Sequence, residues 1–177
     1  EDLPMKPESL YGASKLASEA YIRAFSVLYD IQSWILRLSN MVGERTTHGI
    51  LFDFVKKAKK NKEELIVLGD GNQLKPYMYV RELIDCMLFV INNANERVNI
   101  FNVGPKDGVK VSVIAKIFLE HFGEGQKITY TGGQTGWKGD VPFYSHNSEK
   151  LNNLGWEPKL SSEAAIRKAV VSIKETI

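Results

Sequence analysis

Short apolar runs alternate along the whole chain with longer stretches whose apolar residues recur every three to four positions. This switching of period restricts the chain to an α/β arrangement, because helices must bury one stripe against strands on either side of them in sequence. Leu16, Ala20, Ile22, Phe25 and Leu28 fall at helical spacing behind Pro7 and Ser9, and predict a helix to about Tyr29. Residues 34–39 form a bounded apolar run, read as a buried strand, and 40–49 read as a loop. An amphipathic helix is expected over 50–60, and strands over 64–68, 77–80, 98–103 and 127–130. Further helices are expected over 81–93, from a Ser112 cap to Phe122, over 148–154 closed by Gly155, and over 161–177. Gly69-Asp70-Gly71-Asn72 is a cluster of turn formers and reads as a hairpin turn.

Composition narrows the function classes. Hydrophobic residues make up 44% of 177, enough for a real core. The 23 basic and 21 acidic residues leave a formal charge of only +2, so neither nucleic acid nor an anionic membrane is the expected main partner. The basic run from Lys56 to Lys62 ends a helix and reads as a solvated face that complements the helix dipole. A single cysteine, Cys86, lies in an apolar stretch and reads as core filling, with no intrachain disulfide, as suits a reducing cytoplasm. No 18-residue apolar run and no signal peptide are present. His48, His121 and His146 lack partners at metal-ligand spacing and read as surface or helix-end residues, so no metal is expected. The chain opens on Glu1-Asp2-Leu3-Pro4 without an initiator methionine and enters a strong helix almost at once, which is the expectation for a portion of a longer protein.

The most informative stretch is Tyr11-Gly12-Ala13-Ser14-Lys15. Residues four apart share one helix face, so an ammonium sits beside a phenol. A free phenol titrates near pH 10 and is a poor base at neutral pH, but a nearby positive charge favours its ionised form. Such a pair can take a proton from a hydroxyl. By itself Tyr-x-x-x-Lys also describes an ordinary surface pair; the surrounding string carries the distinction.

Residues 7–19 resemble the active-site helix of the extended short-chain dehydrogenases, in which Tyr-Gly-x-Ser-Lys is typical. Arg37-Leu38-Ser39-Asn40-Met41-Val42-Gly43 resembles the Arg-x-x-Asn-x-x-Gly segment after the next strand. Leu68-Gly69-Asp70-Gly71-Asn72-Gln73 with Tyr77-Met78-Tyr79-Val80 resembles a substrate-domain stretch, and residues 98–104 and 151–158 match later segments. The chain is thereby similar to the UDP-glucose 4-epimerase-like branch of the NAD-dependent epimerase/dehydratases, from Pro7 to about Lys168.

The resemblance implies the C-terminal part of an extended Rossmann-like, doubly wound fold plus a smaller α/β substrate-binding domain. Residues 1–45 would hold the catalytic helix and following strand, and 46–177 mainly the substrate domain, with a strand near 77–103 returning to the first sheet. It implies catalysis by Tyr11 and Lys15, with Lys15 also binding the nicotinamide ribose and Ser39 beside the nicotinamide of NAD. Asn40, Leu68 through its backbone, Lys75, Asp140 and Tyr144 would contact a nucleotide sugar, a UDP-hexose in this branch. Lys75 stands where many relatives carry an arginine against the diphosphate, Pro76 replaces a usual aspartate, and Trp137 replaces a second arginine, so that either Lys138 compensates or the substrate is held differently. The implied reaction is inversion at C4: the hydroxyl proton goes to Tyr11, hydride passes to NAD and returns to the other face, and no cofactor is consumed. A 4,6-dehydratase or another sugar-nucleotide oxidoreductase stays open, because the Ser or Thr region that helps decide lies outside these residues. A non-catalytic sugar-nucleotide-binding protein is the rival from another class, against which the intact Tyr11 and Lys15 weigh. No phosphate-binding glycine loop follows a strand and opens a helix, so the chain alone is expected neither to hold NAD tightly nor to turn over. A possible homodimer through the Tyr11–Tyr29 helix is also implied.

Overall fold

The computed structural model describes residues 1, 4–123, 125–137 and 139–175. Helix α1 spans Leu10–Tyr29. Ser9 caps it, its hydroxyl accepting from the Gly12 amide at 3.0 Å, and Asp30 ends it in the left-handed conformation. The apolar residues of α1 do not turn inward as their spacing suggests. Ser26 is its buried residue, whereas Tyr21, Phe25, Val27, Leu28 and Tyr29 are exposed.

Strand β1 (Ser33–Leu38) runs parallel to β6 (Val98–Val103), paired from Ser33↔Val98 to Leu38↔Val103. Between them in sequence lie β2 (Asn40–Val42) and β5 (Tyr77–Tyr79), which also pair in parallel. The expected loop over 40–49 therefore begins with three strand residues. A strand this short carries no periodic signal and exists because β5 supplies its hydrogen bonds. Strand β3 (Glu64–Val67) pairs in parallel with β8 (Lys127–Tyr130), and β4 (Leu74–Lys75) antiparallel with β7 (Val109–Lys110). Gly69-Asp70-Gly71 is a turn but not the hairpin expected, because β3 and β4 take different partners. Gly69 and Gly71 sit at φ +81° and +79°, a region that favours glycine, and the Gln73 side chain and the Tyr130 ring fill the space where their Cβ atoms would lie.

Two buried clusters lie on either side of this topology. In the first, α2 (Ile50–Lys60), α4 (Val111–Phe122) and α6 (Ser162–Lys174) pack with Leu65, Val67, Tyr77 and Tyr79. Phe118 is fully buried at its centre, edge-on to Phe54 with centroids 5.5 Å apart and stacked on Phe122 at 4.7 Å. Ser161 caps α6, its hydroxyl accepting from the Ala164 amide, whereas Ser112 does not cap α4 as expected. That helix starts at Val111 behind Lys110, and the Ser112 amide instead donates to the Gly71 carbonyl.

The second cluster joins Met78, Cys86, Val90, Phe101, Val103 and Leu151, between α3 (Val80–Asn93), β6 and α5 (Glu149–Leu154). Trp34 ties β1 to α3, its indole N–H donating to the Val90 and Ala94 carbonyls, each at 3.1 Å. Burial pushes the Cys86 thiol up to about 12, which keeps it a packing group rather than a nucleophile. No described helix is long and apolar enough to cross a membrane.

Candidate active site

Tyr11 and Lys15 lie in the first turns of α1, and the Lys15 ammonium is 5.3 Å from the centre of the Tyr11 ring. The spacing has produced the pairing expected of it. The pair is not enclosed: Tyr11 is 72% exposed, and Lys15 is exposed as well.

The helix that carries them is fixed to β1 at two points. The Arg37 guanidinium donates to both carboxylate oxygens of Glu19, from Nε at 3.0 and 3.2 Å and from a terminal nitrogen at 2.8 Å. Both side chains are about four-fifths covered, and the planar fork holds α1 in register with the strand. Further along, the Ser26 hydroxyl bonds that of Ser33 at 2.7 Å. Arg37 stands inside a recognisable motif, but its partner on α1 has no sequence signal.

At the end of β1 the chain presents Ser39 and Asn40. Ser39 is buried, and neither its Oγ nor the Asn40 Nδ2 has a hydrogen-bond partner among the described residues. Buried polar atoms without partners are uncommon and mark a place where a polar ligand or water completes the set. Gly104, following the end of β6, lies directly against Ser39, and the His146 ring also borders Gly104. His146 is thus not the surface residue expected. It is half-buried, edge-on to Tyr144 at 5.6 Å, and burial lowers its affinity for a proton. Burial likewise raises the Tyr144 phenol, opposed by a hydrogen bond from the Asn40 backbone. Tyr77 is pushed up further still by its burial, with Tyr144 and Asp140 adding to the effect. These neutral phenols connect the Ser39–Asn40 end to the next group.

Lys75 is buried on β4, and its ammonium is paired with the buried Asp140 carboxylate. The other Asp140 oxygen accepts from the Gly136 amide at 2.9 Å. The exposed Trp137 ring covers the ammonium, with its centroid 4.7 Å away. Lys75 is therefore ion-paired within the chain. Leu68 follows the end of β3 and lies against Gly136, beside this pair. Lys138 lies outside the described residues. The structure thus links Ser39, Asn40, Tyr144, Asp140, Lys75 and Leu68 as a run of neighbouring residues, while Tyr11 and Lys15 stand on α1. Tyr77 and Gly104 join this run although the sequence reading assigned them no role. Gly104 shows itself only through its closeness to Ser39.

A surface groove of about 430 Å³ lies elsewhere, between Tyr21, Ile22, Phe25 and Ile31. No three His, Cys, Asp or Glu side chains among the described residues are placed to hold a metal ion.

This arrangement of a Tyr–Lys helix beside parallel strands defines a protein of the short-chain dehydrogenase type. The chain belongs to the NAD dependent epimerase/dehydratase family, whose model matches residues 1–104. It is 32% identical over 174 residues to a Methanocaldococcus jannaschii protein provisionally named UDP-glucose 4-epimerase, covering 96% of this chain and 55% of the relative. It is 26% identical over 175 residues to the mouse dTDP-D-glucose 4,6-dehydratase, covering 96% of this chain and 49% of that protein. The crystal structure of a UDP-galactose 4-epimerase superposes with a TM-score of 0.87 at 30% identity, over 100% of this chain and 57% of that one. The chain spans about half the length of the relatives it matches.

Proposed function

We propose that the whole protein is an NAD-dependent nucleotide-sugar epimerase that inverts C4 of a UDP-hexose, and that this chain supplies its proton-transfer pair and most of its substrate-binding part. The observation that carries the reading is the Lys15 ammonium seated over the Tyr11 ring on a helix locked to β1. The unpartnered Ser39 Oγ and Asn40 Nδ2 at the end of that strand fit a polar ligand such as the dinucleotide and its sugar-nucleotide partner. When bound, NAD supplies the acceptor, and then the donor, of the C4 hydride.

Within this reading Tyr11, in its ionised form, removes the C4 hydroxyl proton and later gives it back to the same oxygen on the inverted sugar. Lys15 favours that ionised form and holds the nicotinamide ribose. Ser39 borders the nicotinamide. Asn40, Leu68, Lys75, Asp140 and Tyr144 face the nucleotide sugar. Residues 1–45, with the strands of 77–103, belong to the dinucleotide-binding half, and the rest mainly to the substrate domain. The exposed Tyr11–Lys15 face is completed by residues beyond this chain. The exposed apolar side of α1 suits a homodimer contact. A cytoplasmic location belongs to the same reading, since the one cysteine is buried and unpaired.

Relatedness to a 4,6-dehydratase supports dehydration as the second reading. Incubating the whole protein with UDP-glucose separates the two. Formation of UDP-galactose supports epimerisation, and a 4-keto-6-deoxy product replaces it by dehydration.

A further inference from the structure

We infer that Arg37 is a positioning residue for the proton-transfer pair: by occupying both carboxylate oxygens of Glu19 it withholds that anion from Lys15 and leaves the ammonium to Tyr11. This rests on the reading of Tyr11 as the group that moves the proton.

Tyr11, Lys15 and Glu19 recur every four residues on α1, so they form one stripe with Lys15 in the middle. The ammonium therefore has a choice of neighbours, the phenol one turn back and the carboxylate one turn on. It sits over the Tyr11 ring. The reason lies on β1, the strand packed against α1. Arg37 donates to both Glu19 oxygens at 2.8 to 3.2 Å, and the planar fork matches the carboxylate in a way that an ammonium does not.

Without the guanidinium, a carboxylate that is only 18% exposed would need another cation, and Lys15 is one turn away. The anion also acts at a distance. Glu19 lies two turns from Tyr11, roughly 12 Å along the helix axis, and an uncompensated negative charge there opposes the ionised phenol. Two anions would then share one ammonium.

The other charged groups around the stripe are placed differently. Arg23 lies one turn beyond Glu19 and is exposed, as are Lys6 and Glu8 on the segment before α1. Glu1 approaches from the far side of Arg37, its carbonyl accepting from the guanidinium at 3.1 Å and its carboxylate from the Asn102 amide at 2.8 Å. Arg37 is the cation that β1 delivers to Glu19.

Arg37→Gln, Glu19→Gln and the double variant test this in two ways. In the 177-residue chain, NMR reads the contact between the Lys15 ε-methylene and the Tyr11 ring. It should be present in the unaltered chain, lost in Arg37→Gln and restored in the double variant, which lacks the fork just as completely. In the whole protein, the rising limb of UDP-glucose turnover against pH should move up by about 0.5–1 pH unit in Arg37→Gln, the size expected for one partly screened charge at that distance. It should return in the double variant, and Glu19→Gln alone should leave it in place or lower it. Contact and limb both unmoved in Arg37→Gln overturn the inference, because Arg23 or water then satisfies Glu19. A change that the double variant fails to reverse overturns it too, because the fork then only holds the fold. Arg37→Lys, which keeps the charge, guards against a misfolded Arg37→Gln: it should preserve contact and limb, and their loss there equally overturns the inference. The NMR contact needs no turnover, so a wrong assignment of the reaction leaves that result standing.

Discussion

Gly104 and Ser39 meet so closely at the ends of β6 and β1 that a β-carbon on Gly104 would lie 2.7 Å from the Ser39 Cβ and 2.8 Å from its hydroxyl. No special backbone conformation is involved; the constraint is space alone. Gly104→Ala must therefore push Ser39 or the strand end aside, an overpacking that costs about 1–3 kcal/mol. Denaturant unfolding should show a lowered midpoint with an unchanged slope. An unaltered midpoint would mean the strand ends yield freely.

Tyr11 is exposed and its hydroxyl has no hydrogen-bond partner among the described residues, so its loss should leave stability untouched. Tyr11→Phe in the whole protein should keep the melting temperature and lower turnover of UDP-glucose by roughly 10²–10⁴, the range for a lost general base. Unchanged turnover would favour a non-catalytic sugar-nucleotide-binding protein.

The 177-residue chain on its own should show no epimerase turnover, because no phosphate-binding glycine loop lies within it. Product analysis after long incubation with NAD and UDP-glucose checks this. Detectable UDP-galactose would contradict it.

Glu44 should limit acid stability. Its carboxyl is lowered to about 2, first by its own backbone hydrogen bond and then by bonds from Arg81 at 2.7 Å and the Tyr79 hydroxyl at 2.8 Å. A group whose folded-state value lies below the unfolded one contributes stability that is complete above the unfolded value, here 4.5. That contribution fades as pH falls from about 4.5 toward 2. Glu44→Gln should be less stable than the unaltered chain at neutral pH, and the gap should narrow across this window in unfolding measured at several pH values. A gap independent of pH would sink the assignment.

Phe118 is the centre of the larger core, between Phe54 and Phe122. Phe118→Ala should cost about 3–5 kcal/mol in chemical unfolding, from lost apolar burial and the cavity left behind. A loss below about 1 kcal/mol would mean that the three-helix cluster collapses into the space.

Local features of the sequence determined the α/β class, the extents of α1, α2 and β6, and the Tyr11–Lys15 pairing, because period, caps and helical spacing act over a few residues. The motif at residues 37–43 was also legible. Only the tertiary structure decided the rest, since each remaining feature depends on atoms far apart in the chain. The two-residue strands β4 and β7 exist only because they find each other. Glu19 becomes an anchor because β1 delivers Arg37 beside it. His146 turns inward against Tyr144, and 65 positions separate Lys75 from the Asp140 that neutralises it. Sequence spacing cannot report such pairings: burial makes a charge demand a partner, and the fold decides which one arrives.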